Sequence, residues 1–222
     1  MNIIYLILFC VLGYGTLILG SLKWKKSILY TIAIGSIVNA NIFHSLNYPI
    51  NIFGLTFGMN SVIYVMFLFS ILIMYVDFGK KEAFTLIICS IGGIIFASVI
   101  QFLTCVASNG LNIAYLQDML AYFASCISSF TAGALLIFIF DKLKTHTNIY
   151  INFLLCLIIA SIIDSLIYYG ITFCLKISLL TSEFWLSLGT LYLGKLISIV
   201  FAIITLFFLT KFCNTNNNNE NN

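Results

Sequence analysis

Two residues of opposite charge stand deep inside apolar runs: Asp164 in LIIASIIDSLIYYG (157–170) and Lys195 in YLGKLISIVFAI (192–203). An ionised group in such surroundings is costly unless it meets a counter-charge, a ligand or a cavity. A carboxylate there can accept hydrogen bonds from the N–H groups of a small polar solute, and an ammonium can donate to its oxygens. At helical spacing Ser161 and Tyr168 share the face of Asp164, while Tyr192 and Ser198 flank Lys195 three residues either way. Asn39, Asn41, Asn60 and Gln101 add lone amides in other apolar segments. Each amide can equally serve as a helix–helix hydrogen bond, and the charged pair as a structural lock between two helices.

The chemistry these residues support is binding, not catalysis. His44 and His146 lie near segment ends, and neither belongs to an HExxH motif; there is no GxSxG sequence and no P-loop. The seven cysteines are scattered, with no CxxC pair and no histidine at ligand spacing, so they read as small apolar residues. No enzyme activity, metal or cofactor is expected.

The elements that must hold these groups follow from composition. Of 222 residues, 62% are hydrophobic and only 8% charged, against about a quarter charged in soluble domains. The chain reads as an all-α, polytopic integral membrane protein. Segments 2–20, 27–46, 60–77, 83–107, 118–140, 149–175 and 186–211 are apolar over roughly the 20 residues a bilayer crossing needs. The first lacks a basic region before its apolar run, which argues for a retained helix and against a signal peptide. Helix five carries a small-residue stripe, Ser125, Ser129 and Gly133, suited to close packing, and Gly92-Gly93 in helix four suits either packing or flexibility.

Lys23, Lys25, Lys26, Lys80, Lys81, Lys142, Lys144 and Lys211 all fall on one side of such a bundle, whereas Lys176 faces the other, beside Glu183. Short lysine-rich loops stay in the cytoplasm, so the N-terminus is expected outside and the C-terminus inside, with Trp24 and Trp185 at opposite interfaces. The net charge of +3 therefore reports topology, and no nucleic-acid partner is expected. The polar stretch 214–222, NTNNNNENN, reads as a disordered cytoplasmic tail of a single domain, 1–213. Asp164 and Lys195 then lie about 16 and 13 Å from the outer ends of their helices, at matching depth on antiparallel neighbours.

Further residues resemble a known family. NANIFHSLNYPINIFGLTFGMN (39–60) and VDFGKKEAF (76–84), followed by Gln101 in SVIQF, Asp164 in IIDSLIYYGITF and Lys195 in the last helix, are similar in order and spacing to the vitamin uptake transporter family, best known as queuosine precursor transporters. The similarity runs from about residue 39 to 211. It implies import of a 7-deazaguanine such as preQ0 or preQ1 across a bacterial-type inner membrane, with the lipid bilayer and a purine-like or vitamin-like solute as partners and a homo-oligomer open. The residues expected to bind the substrate are Asp164, Lys195, Asn41, Asn60, Gln101, Ser161 and Tyr168. Several positions depart from the family: Leu72 and Val76 stand where it has acids, Gly133 and Leu136 where it has Gln and Asp, and Ser161 where it has Gln. A different substrate and a weakened or lost activity both fit those departures. The depth of Asp164 also suits proton coupling. Two other readings stay open: a substrate-binding subunit that needs a separate energising complex, and a non-transporting membrane scaffold.

Overall fold

The computed structural model describes residues 3–24, 26–46, 49–52, 55–109, 113–145, 148–174 and 182–220. They form seven helices: α1 (Ile3–Trp24), α2 (Lys26–Leu46), α3 (Met59–Phe78), α4 (Lys80–Asn109), α5 (Ile113–Leu143), α6 (Ile149–Cys174) and α7 (Ser182–Glu220). Six of these, α2 to α7, are long and apolar enough to cross a membrane. The protein is thus an all-α polytopic membrane bundle. The apolar part of α1 is only Leu6–Gly20, short of the roughly 20 residues of a full span, so the seventh crossing expected over 2–20 is a helix of shorter apolar run. The last helix also continues to Glu220, where an unstructured tail is expected from the composition of 214–222. Extending a formed helix fixes one residue per added hydrogen bond, a smaller demand than nucleating one.

One helix is unlike the rest. Every residue of α3 from Ser61 to Tyr75 is buried, because VIYVMFLFSILIMY is apolar on all faces, the pattern of a helix with no solvent or lipid side. It contacts each of the other six helices, and those six close a ring around it in the order α1, α2, α4, α5, α6, α7. Ring helices turn large apolar side chains outward, among them Leu12, Phe96, Phe123, Phe130, Leu166 and Phe208. On a spanning helix that face belongs in hydrocarbon.

Gly79 makes the α3–α4 junction possible. Its φ of 89° lies in the left-handed region that favours glycine, and its N–H caps Tyr75 O at 3.0 Å. The chain reverses there in one residue, which sets Lys80 beside Asp141 at the end of α5.

The segment between α2 and α3 holds a hairpin. Strand β1 (Pro49–Ile52) pairs antiparallel with β2 (Leu55–Gly58) in the register Pro49 to Gly58. Phe57 is buried and packs on α7 at Gly194, where an added Cβ would lie 2.9 Å from the Phe57 ring. The glycine lets the hairpin approach within one residue of Lys195.

Candidate functional site

Asp164 and Lys195 meet. Both are almost fully buried, at 5% and 2% exposed, and Lys195 Nζ donates to Asp164 Oδ2 at 2.5 Å and to Ser165 Oγ at 2.8 Å. Tyr64, from the central helix, donates its hydroxyl to Asp164 Oδ1 at 2.7 Å and offers its ring to Lys195 Nζ, 4.6 Å from the centroid. Helices α3, α6 and α7 are thereby tied at one point. Each carboxylate oxygen already accepts one hydrogen bond, yet a carboxylate has about four acceptor sites, so capacity remains.

The pair lies in the wall of a polar cavity. Its lining comprises Ala40 and Asn41 of α2, Asn60, Ser61 and Tyr64 of α3, Ser125 and Ser128 of α5, Asp164 and Tyr168 of α6, and Leu191 and Lys195 of α7. Asn60 and Ser61 open α3, and Asn41 and Tyr168 lie in the last two turns of their helices, so the lining runs from the end opposite the lysine-rich loops down to the pair. The room for centres of water-sized molecules is about 40 Å³, enough for a few waters at roughly 10–15 Å³ each. The Ser61 hydroxyl is buried in this wall with no hydrogen-bond partner among the described residues. The hydroxyls of Ser90, Ser129 and Ser161, outside this lining, are buried in the same state.

Five of the seven substrate-binding residues expected from sequence line the cavity: Asp164, Lys195, Asn41, Asn60 and Tyr168. Asn41 donates one amide N–H to Ile37 O at 2.8 Å. Ser161 stands behind the wall, where its carbonyl accepts from Ser165 Oγ at 2.8 Å. Gln101 does not join the site: its side-chain oxygen takes the Tyr122 hydroxyl, a helix–helix bond between α4 and α5. Neither residue of the Lys195 flank belongs to the cavity lining. Tyr192 faces a separate groove, and Ser198 bonds Tyr14 at 2.5 Å and Val62 O at 3.0 Å, tying α1, α3 and α7.

Tyr64, Ser61 and Ser128 are the site residues that sequence reasoning misses. In SVIYVMFLF a tyrosine reads as core. The available signal is spacing: Asn60 and Tyr64 are four residues apart, and Ser125 and Ser128 three, so each pair falls on one helix face.

Toward the lysine-rich end the described helices are joined by aromatic contacts and ion pairs. Below the cavity, Tyr14, Phe69, Phe153, Phe140 and Tyr75 form a chain of edge-to-face ring contacts with centroids 5.2 to 5.8 Å apart. Beyond them, Asp141 accepts from Lys144 at 2.6 Å, Lys80 at 3.0 Å and Tyr75 at 2.5 Å. Lys26 pairs with Glu82 at 3.3 Å, and Tyr30 donates to the same carboxylate at 3.1 Å. The hydrogen bond to Asp141 holds the Lys144 ammonium above its ordinary pKa. Since a raised lysine pKa favours the folded charged form, that contribution is complete at neutral pH and fades only as pH rises through the strongly alkaline range.

Of the positions where the resemblance expects acids and amides, Leu72, Gly133 and Leu136 are built into packing, whereas Val76 is 44% exposed. Leu72 and Leu136 are fully buried. A Cβ on Gly133 would lie 2.9 Å from Ile87 Cδ1 and 3.3 Å from Ile71 Cδ1. Compared with known proteins, the chain matches no family model, no curated protein and no solved structure.

Proposed function

We propose that this membrane protein is a transporter that takes up a small, polar, nucleobase-like solute, a queuosine precursor of the 7-deazaguanine type being the first candidate, through the cavity that ends at Asp164 and Lys195. The observation that carries the reading is a buried ion pair in the wall of a polar cavity, together with the unpartnered Ser61 hydroxyl. A pair that served packing alone would need no cavity beside it. The ring N–H and exocyclic amine of a deazaguanine match the spare acceptor sites of Asp164, and its carbonyl matches the amide of Asn60 or the Ser61 hydroxyl. The narrow cavity must widen by movement of α6 and α7 to admit a ring system. With the lysine-rich loops in the cytoplasm, the cavity faces outward, and release requires the aromatic chain and the Asp141 cluster to part.

A second reading has an observation of its own. Both oxygens of Asp164 and the ammonium of Lys195 are satisfied within the chain, as they would be in a structural lock in a non-transporting scaffold. Uptake of radiolabelled preQ0 and preQ1, with purines and vitamins as competitors, in transport-deficient cells expressing this chain alone tests the proposal. Saturable uptake, lost in Asp164→Asn, is expected. Uptake that needs a co-expressed energising complex would make the chain a dependent binding subunit, and no saturable uptake of any tested solute would favour the scaffold.

A further inference from the structure

On the outward side of the α6–α7 pair lies a second concavity, lined by Ile162, Ser165 and Leu166 of α6 and by Trp185, Leu188, Gly189 and Tyr192 of α7. The α7 residues fall at i, i+3, i+4 and i+7 and the α6 residues at i, i+3 and i+4, so each set is one helix face and the groove runs parallel to both axes. From Trp185 to Tyr192 it is about 10 Å long, at 1.5 Å per residue. Its room for centres of water-sized molecules is about 300 Å³, far more than the polar cavity provides. Among the described residues the lining is uncharged, with the hydroxyls of Ser165 and Tyr192 and the indole N–H of Trp185 as its polar groups.

We infer that this groove is a binding site for one acyl chain of a phospholipid in the leaflet opposite the lysine-rich end. Ile162, Leu166 and Trp185 are 38%, 44% and 58% exposed, on helices long enough to span, so hydrocarbon is the medium that meets them. Trp185 opens the groove near the start of α7, where an indole sits at headgroup level, and the groove descends from there toward the bilayer centre. An acyl chain enters in that direction. A polar solute would exchange its hydrogen bonds to water for at most three polar partners, and a seam about 10 Å long is short for a second copy of the chain. Gly189 is exposed, and an added Cβ would meet nothing within 4 Å; this missing side chain makes the groove. Ser165 is the shared wall: it lines the groove and takes a hydrogen bond from Lys195. Chain occupancy therefore bears on the spacing of the helices that hold the ion pair.

The test uses the full chain in lipid nanodiscs doped with a phosphatidylcholine carrying a diazirine at the end of one acyl chain, with photolabelled residues mapped by mass spectrometry. Saturable labelling of Leu188, Tyr192 and Ile162 is expected, competed by unlabelled phosphatidylcholine. Gly189→Leu, which fills the groove from open space, should cut that labelling by about tenfold through loss of buried methylene contacts. Phe96 on α4, 69% exposed, should label unchanged and reports that the variant is folded. If Gly189→Leu does not fold, Gly189→Ala carries the test with a smaller loss in the same direction. Labelling in simple proportion to exposure, with groove residues no higher than Phe96, would overturn the inference. So would displacement of the groove label by a soluble nucleobase, or cross-links from Tyr192 to a second copy of the chain.

Discussion

At the scale of single residues, the ion pair is held as a three-helix knot: Lys195 is fixed by Asp164 and Ser165, and Asp164 by Tyr64. Removing one charge leaves the other buried without compensation. Asp164→Asn should therefore destabilise the folded protein by about 3–5 kcal/mol, while the double variant Asp164→Leu/Lys195→Met should recover most of that loss. Unfolding in detergent, followed by circular dichroism against denaturant, reads both; equal stability of the single variant and the parent would refute a buried charged pair. Tyr64→Phe removes one hydrogen bond to a charged acceptor and keeps the ring over Lys195. A loss of roughly 1.5–3 kcal/mol in the same assay is expected.

Among the elements, α3 decides where everything else goes. Its uniform apolarity makes it the axis of the ring, and that places Tyr64 against Asp164 and Ser61 in the cavity wall. The absence of side-chain space around Gly133 follows from the same close packing, since Ile71 of α3 and Ile87 of α4 both press on it. Gly133→Gln should overpack this contact and cost about 1–3 kcal/mol in stability. A melting curve of the purified variant decides that, and an unchanged melting temperature would mean the contact yields freely. Leu72, Gly133 and Leu136 are thus parts of the packed core, and a polar side chain at one of them alone does not make a polar site. Much of this was legible beforehand. The helix segments lie within a few residues of α2, α3 and α6, and the Asp164–Lys195 contact follows from two charges at equal depth on antiparallel neighbours. What escaped depends on tertiary approach: Tyr64 looks like core until a carboxylate faces it, Gln101 is taken by Tyr122, and the hairpin is anchored by Phe57 finding the bare backbone of Gly194, which no local pattern in PINIFGLTFG announces.

For the whole molecule, the polar cavity and the Asp141 cluster sit at opposite ends of one bundle, joined by a chain of aromatic rings. This arrangement predicts one-sided access. In an otherwise cysteine-free protein oriented in vesicles, Asn41→Cys, at a partly exposed position of the cavity lining, should react with an impermeant maleimide added opposite the lysine-rich face and not with reagent added on that face. Asp141→Asn weakens the ties of Lys80, Lys144 and Tyr75 across α3, α4 and α5, and should raise labelling from the lysine-rich face. No change in sidedness would remove the cluster from any gating role. The central claim is that Asp164 and Lys195 bind a solute as well as each other, and the doubly apolar protein separates these roles because it is expected to fold. Saturable uptake of labelled 7-deazaguanine into proteoliposomes made from the parent and from Asp164→Leu/Lys195→Met is the most direct measurement. Uptake by the parent with none above background by the folded double variant is the predicted result; equal saturable uptake by both would contradict the account.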